Sequence, residues 1–491
     1  MKDSVTTDFL ALVWIAFPFL IGFIIYLIPK LDRPLALIGT IVSAGYAGLL
    51  LTSNQAPLTL RLMDHFGVSL ILDPLAGFFI LTNALVTMAV VLYCWRTDKS
   101  TFFYAQVLIL HGSLNAAFAC SDFISLYVAL EVISISAFLL IAYPRTDRSL
   151  WVALRYLFVS NVAMLFYLVG AILIYQTHHS FDFTGLRGAP TEAVSLIFLG
   201  LLVKGGVFVS GLWLPLTHAE SETPVSALMS GIVVKAGIFP LVRCALLLEE
   251  INPIVRCLGL ATALLGVSCA VFEKDTKRML AFHTVSQLGF VLAAPVVGGF
   301  YALTHGLVKS ALFLMVGNLP SRDFKVLQQK SVDTRLWIAL TIASLSISGM
   351  PLLAGFGTKA LTMKELLPWQ VIVMNVAALG TAISFAKFIF LPHGETSLDE
   401  SAVLLKPANH GFLVAIALLL GSLVVGNGLY LQAYTLENMM KSVGTIGLGW
   451  LAYWFIFRNL VIKLPRVMEQ FEHLVGVMSL SLVVLFWMVF V

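Results

Sequence analysis

The chain has 491 residues, of which 59% are hydrophobic and only 11% charged, with a mean hydropathy of +0.95. Soluble proteins carry about a quarter charged residues, so composition alone excludes a water-soluble fold. The net charge of +4 comes without any Lys/Arg run that could hold nucleic acid; basic cytoplasmic loops account for it.

The five cysteines (Cys94, Cys120, Cys244, Cys257 and Cys269) form no C-x-x-C pair and no Cys/His spacing suited to zinc or an iron–sulfur cluster. The reading is therefore no metal, no cofactor and no redox centre in this polypeptide.

At about 20 apolar residues per span, about sixteen membrane segments follow one another. The first, 9–28, is too long for a signal h-region and lacks a small-residue cleavage site, so it reads as a transmembrane helix. Segments 35–53, 72–94 and 101–119 come next. The fifth, 122–143, carries Glu131 nine residues after Asp122, roughly 13 Å into a core about 30 Å thick. Segment 151–175 has Arg155 near its start, where it is expected to reach the interface. Segment 193–214 is apolar except for Lys204, which precedes Gly205-Gly206, Gly211 and Pro215. Gly and Pro beside a buried charge predict a broken helix lining a cavity. His218, Glu220 and Glu222 follow in the polar stretch after it. Segment 224–247 carries Lys235 about ten residues from either edge, too deep to snorkel easily.

After 254–272, segment 279–297 holds His283, which the i,i+4 spacing turns toward Gln287. Segment 300–318 places His305 and Lys309 on one helical face by the same spacing. Segment 336–366 has a second break, Ser348-Gly349-Met350-Pro351, followed by Lys359. In 370–391, Lys387 is near the helix end beside Pro392 and His393, and snorkelling competes with any buried role. Segments 409–432, 443–464 and 473–491 complete the chain. The longest polar stretches, about 176–192, 319–335 and 393–408, are too short for an extramembrane domain.

Basic residues fall on alternate connections: Lys30 and Arg33, Arg96 and Lys99, Arg145 and Arg148, Lys274 to Arg278, Arg322 to Arg335, and Lys463 with Arg466. The positive-inside rule puts these loops in the cytoplasm and the N-terminus outside. Mid-membrane ionisable groups normally mark an ion path. A static Glu131–Lys204 pair that only locks two helices is the competing reading, as is a satisfied structural role for His218 and His283.

The stretches LPLTHAESETPVSALMSGIVVKAGIFPLVR (214–243), EKDTKRMLAFHTVSQLGF (273–290), HGLVKSALFLMVGN (305–318) and SGMPLLAGFGTK (348–359) resemble the antiporter-like subunits of respiratory complex I, Mrp-type sodium/proton antiporters and membrane-bound hydrogenases. The D-type Mrp subunit and subunit four of complex I are the nearest types. The resemblance spans roughly 100–390 and implies an all-α polytopic membrane protein of fourteen to sixteen transmembrane helices. The paired interrupted segments themselves point to two inverted repeats, at 101–247 and 248–391, flanked by helices in 1–100 and 392–491. The resemblance implies a proton relay through Glu131, Lys204, Lys235, His305, Lys309 and Lys359; His218, His283 and Lys387 are further candidates by their own positions in or beside apolar segments. It also implies work inside a multi-subunit assembly that moves H+, with or without Na+, in a bacterial plasma membrane or a thylakoid. The sequence departs from the family pattern in its acidic loop 217–222 and in His283, where many members carry a small hydroxyl residue.

Two other classes compete with this one. A redox enzyme acting on NADH or quinone lacks a G-x-G-x-x-G turn and cluster ligands. A structural membrane subunit without transport leaves the costly lysines unexplained.

Overall fold

The computed structural model describes residues 2–53, 56–63, 66–394, 410–428, 430–458, 460, 466 and 469–490. Helices occupy all sixteen expected segments, and thirteen among the described residues are long and apolar enough to cross a membrane. The other three fall short for local reasons. Thr276–Ala293 carries Lys277, Arg278, His283 and Gln287, the 334–364 stretch is cut in two, and Leu436–Ala452 runs on into a π turn. Lys463 and the polar stretch 393–408 past residue 394 lie outside the described residues.

In chain order the helices that matter below are α1 (Lys2–Leu27), α2 (Asp32–Thr52), α3 (Pro74–Tyr93), α4 (Thr101–Ala119), α5 (Phe123–Ile141), α6 (Asp147–His178), α7 (Thr191–Gly205), α8 (Leu214–Glu220), α9 (Thr223–Leu228), α10 (Lys235–Leu247), α11 (Asn252–Phe272), α12 (Thr276–Ala293), α13 (Pro295–Val316), α14 (Phe324–Leu327), α15 (Thr334–Ser348), α16 (Ala354–Lys364) and α17 (Pro368–Ile389). Three further helices follow: His410–Gly428, Leu436–Ala452 and Phe471–Phe490. Aspartates set several starts by accepting backbone N–H groups, as Asp73, Asp122, Asp275 and Asp333 do at α3, α5, α12 and α15. A hairpin of β1 (Leu58–Arg61) and β2 (Ser69–Leu72), paired Leu58 to Leu72, lies against the start of α5, where the Ser69 N–H donates to Asp122.

Burial is graded. The central parts of the Thr223–Leu247 and Pro295–Val316 spans are enclosed by protein, whereas only about a third of Phe9–Leu27 and about a fifth of Phe471–Phe490 are buried. A helix stretch shielded from lipid can carry charge, and the enclosed parts of these two spans hold Lys235, His305 and Lys309. A second polar knot joins α2, α3 and α4: His111 Nε2 meets Ser43 Oγ at 2.8 Å, and Asn83 donates to Asn115 at 2.8 Å. Such interhelical hydrogen bonds hold membrane helices together where the hydrophobic effect cannot.

Arg155 departs from expectation. It is 6% exposed and enclosed, because the helix Phe471–Phe490 packs over α6 and α7 from the far end of the chain and brings Glu469 beside it. Glu469 also pairs with Arg278, whose Nε donates to Glu273 at 3.0 Å. Burial opposes ionisation of Glu273, but the Arg278 guanidinium outweighs it and holds the carboxyl below its ordinary range.

Candidate functional site

Both breaks form where expected. At the first, α7 ends with Gly206 at φ +62°, a left-handed conformation that glycine adopts without a Cβ clash. The Val207 N–H closes back on the Leu202 carbonyl at 2.9 Å, and the Trp213 indole N–H donates to the Val203 carbonyl at 2.9 Å. A 3-10 turn, Phe208–Trp213, leads into α8. At the second, α15 ends with Gly349 at φ +93°, and α16 begins at Ala354.

Lys204 lies in the last turn of α7, where the negative end of the helix dipole favours a cation. Its side chain is 5% exposed, and its Nζ is 3.8 Å from Glu131 Oε1 on α5. The amine donates to Ser134 Oγ, to Ser160 Oγ at 2.5 Å and to the Leu130 carbonyl at 3.2 Å. Four oxygens from α5 and α6 thus surround it. Glu131 receives no hydrogen bond through its buried Oε1, and its side chain is 24% exposed, so it looks both inward to Lys204 and outward from the bundle.

Lys235 opens α10 directly after a π turn, Met229–Val233. A π turn interrupts the regular i→i+4 ladder and leaves carbonyls for other donors. The Lys235 amine takes two of them, Gly231 at 2.5 Å and Ser230 at 3.2 Å. Lys309 on α13 donates to the Leu280 carbonyl at 2.7 Å and lies over the Phe385 ring at 5.6 Å. His305 sits one turn earlier, with neither ring nitrogen bonded to protein, in the electrostatic neighbourhood of Lys235, Lys309 and His283. Lys359, on α16, donates to the Ser348 carbonyl at 3.3 Å and faces the Phe290 ring at 5.4 Å. A void of about 10 Å³, the size of one water, touches His305, Gln287, Tyr301 and Lys359.

The structure therefore gathers Lys235, His305, Lys309 and Lys359 around α13 and its neighbours, and sets Glu131 with Lys204 at one flank. His218 and His283 are enclosed too: His218 stacks on Phe313 at 4.6 Å and His283 packs on Phe385 at 4.6 Å. Their ring nitrogens have no protein partner, and Gln287 turns to Tyr301 and Thr381 instead of His283. Lys387 points elsewhere. Its amine caps the end of α11 on the Val271 and Glu273 carbonyls at 2.6 and 2.8 Å.

Several residues at the site carry no signal in the sequence. Ser160 and Tyr156 on α6 flank Lys204, and Tyr301 donates to Gln287 at 2.7 Å. Serines and tyrosines are ordinary in membrane helices, so nothing marks these out. Lys277, expected in a solvated loop, is 7% exposed and donates to the Ser221 carbonyl at 2.9 Å. Its position in the first turn of a helix with polar residues along its length was the available signal.

An all-α integral membrane protein with two interrupted helices and a buried file of amines is the class that fold and site define. Within it, the chain belongs to the NADH:quinone oxidoreductase/Mrp antiporter transmembrane family, which matches residues 120–384. It is 29% identical to NADH-quinone oxidoreductase subunit N of Desulforudis audaxviator over 431 residues, 78% of this chain and 85% of that one. It is 28% identical to the D-type member of the Na(+)/H(+) antiporter of Alkalihalophilus pseudofirmus over 397 residues, 72% of this chain and 80% of that one. Its fold matches a chain of the Mrp complex from Dietzia sp. DQ12-45-1b with a TM-score of 0.72 at 21% identity, covering 89% of this chain and 100% of the other. A chain of respiratory complex I from Thermus thermophilus matches at 0.70 and 22%, covering 89% and 99%.

Proposed function

We propose that this chain is the proton-translocating membrane subunit of a multi-subunit assembly of the Mrp or complex I kind. The observation that carries the reading is the set of four buried amines, Lys204, Lys235, Lys309 and Lys359, of which only Lys204 has a carboxylate within 4 Å among the described residues. Static pairs would neutralise such charges; unpaired amines held by carbonyls suit a proton that comes and goes. The relay consists of Glu131, Lys204, Lys235, His305, Lys309 and Lys359. His218 and His283 are side stations, and Lys387 is the weakest candidate because its amine caps the end of α11 and points away from the other stations.

Attraction between Glu131 and an ammonium at 3.8 Å amounts to about 4 kcal/mol at an effective dielectric near 20. Neutralising or withdrawing Glu131 removes that attraction and lets Lys204 release its proton toward Lys235. Movement at one station changes the electrostatic setting of the next.

Helix order supports an inverted repeat of 101–247 and 248–391. Each run crosses five times with its fourth helix broken, and an odd number of crossings starts the second run from the opposite side. Basic loops on alternate connections support a cytoplasmic location for Lys274–Arg278 and Arg322–Arg335. Bacterial relatives support a bacterial plasma membrane. Partners are the other membrane subunits of the host assembly.

Proton flux into inverted membrane vesicles carrying the whole assembly is the test. Loss of flux in Lys204→Ala, with insertion and assembly intact, is the expected result. Undiminished flux would leave only a structural subunit.

A further inference from the structure

On the face of the basic loops, a cavity of about 630 Å³ opens between the start of α15, the end of α17 and the end of the helix Leu436–Ala452. Its size falls within the roughly 300–1,000 Å³ of sites that hold a small ligand group. Trp337, Tyr453 and Trp454 wall it, the residue types that gather at the level of lipid headgroups, and Gln328, His393 and Arg458 bring polar side chains to it. The helix Leu436–Ala452 runs on into a π turn, Tyr453–Phe457, closed by the Arg458 N–H on the Tyr453 carbonyl at 2.8 Å. Such turns recur at functional sites because they re-aim the side chains around them, and here Tyr453, Trp454 and Arg458 all meet the one cavity. The Arg458 guanidinium lies over the Trp454 ring at 4.1 Å. Stacking engages the face of the guanidinium and leaves its in-plane N–H donors free. Among the described residues those donors meet no carboxylate and no hydrogen-bond acceptor.

We propose that this cavity holds the headgroup of a membrane phospholipid of net negative charge, with its phosphate on the edge of the Arg458 guanidinium. A planar fork of N–H donors matches the oxygens of a phosphate, two bonds at a time. The sign of the whole headgroup follows from what the cavity lacks. None of its described lining residues is acidic, so no carboxylate is there to hold the ammonium of a zwitterionic lipid. The aromatic rings are paired off as well: Trp454 with Arg458, Trp337 with His393 at 3.7 Å, and Phe390 with Tyr453 at 6.0 Å. They therefore form no cage of converging ring faces of the kind that binds ammonium groups. Gln328 belongs to the Arg322–Arg335 loop, so the site sits where basic loops meet the membrane surface, and basic pockets between helices at that level take anionic headgroups. Deeper along the same helices, Ile338 and Ile342 on α15 and Leu448 and Leu451 on Leu436–Ala452 are exposed. A polar, positively charged cavity that continues into apolar surface suits an amphiphile and not a free phosphate. Acyl chains lying on those residues would join the start of the second interrupted helix to the C-terminal part of the chain.

The test is native mass spectrometry of the whole assembly released from nanodiscs of phosphatidylcholine with phosphatidylglycerol as the minor component. Phosphatidylglycerol should be retained in preference, and Arg458→Gln should lower its retention about fivefold, the weight of one basic residue at an anionic membrane surface. Lys325→Gln removes the same charge from an exposed residue of the same loop that does not line the cavity, and should leave retention unchanged. The spectrum itself reports whether each variant assembles. A second measurement needs no variant: phosphatidylglycerol with a photoactivatable group on its acyl chain, added to the native assembly, should mark 337–342 and 448–458, and its phosphatidylcholine counterpart should mark them far less. Equal retention of the two lipids, undiminished retention in Arg458→Gln, or photolabelling that passes over both segments would overturn the inference. Release of the bound lipid by added inorganic phosphate would assign the cavity to a soluble anion and overturn it too. Neither readout depends on proton flux, so this inference and the relay fail separately.

Discussion

The two interrupted helices place a lysine in opposite surroundings. Lys204 sits on the helix turn before its break, amid four oxygens, with a carboxylate 3.8 Å away and a void of only about 10 Å³ beside it. Lys359 sits after its break, with one carbonyl at 3.3 Å, a phenyl face and a cavity of about 470 Å³. The charge at the first is governed by a protein partner, and at the second by access to water. On the proposed relay, one motif, glycine beside a buried lysine, serves two tasks: a coupled switch inside the bundle and a terminus beside a cavity.

The largest effect should come from the switch. Glu131→Ala and Lys204→Ala should each lower proton flux in inverted vesicles by at least about a hundredfold, the scale at which losing a positioned proton carrier is felt. Glu131→Asp should be milder, because it keeps the charge and shortens the reach. Full activity in Glu131→Ala would end the comparison by making both lysines independent of a carboxylate.

Reversing charge separates the sites next. Lys204→Glu sets a second carboxylate against Glu131 and should be inactive and poorly assembled. Lys359→Glu meets no buried acid and should retain partial flux, since either sign of titratable group can serve at a watered terminus. Lys359→Met keeps the stem but cannot take up a proton, and should be inactive. Flux at matched expression decides, and activity in the methionine variant would reduce Lys359 to a structural residue.

A smaller effect is expected from the oxygens. Ser160→Ala removes one hydrogen bond to a charged amine, a contribution of about 1.5–3 kcal/mol, and should slow flux by about tenfold while leaving assembly intact. Unchanged flux would mean that the remaining acceptors at Lys204 are sufficient.

The smallest prediction tests the tie behind the first site. Glu273 has its carboxyl held below the ordinary range, so its stabilising contribution is present above about pH 4.5 and is lost as pH falls through the lower, folded value. Melting of the detergent-solubilised assembly should fall more steeply as pH drops below about 4.5 in the native chain than in Glu273→Gln, with a difference of about 1 °C. Parallel curves would show that Arg278 gains nothing from this carboxylate.

Glu131, Lys204, Lys235, Lys309 and Lys359 were legible because a charge inside an apolar run is conspicuous: hydrocarbon makes it costly wherever the chain folds. The breaks were legible for a similar reason, since Gly206 and Gly349 mark where a helix can turn left-handed. Arg155 misled, because its place near a segment start says nothing of a helix more than 300 residues later that covers it. Ser160, Tyr156 and the wall of the cavity beside Lys359 were invisible, because Ser, Thr and Asn are routine in membrane helices and their meaning depends on what they face.

What the sequence by itself determined is a membrane-embedded helical body, its segment order, its two interruptions and the charges set inside its apolar runs. Each of these follows from transfer free energy and backbone sterics, which act residue by residue. What only the tertiary structure decided is which charge has a partner. Glu131 meets Lys204 across α5 and α7, Lys235 finds carbonyls released by a π turn, and Lys359 meets a cavity walled by a helix from the C-terminal part of the chain. Those outcomes rest on distances of a few ångströms between helices far apart in sequence, and Coulomb and hydrogen-bond energies change most steeply over just such distances.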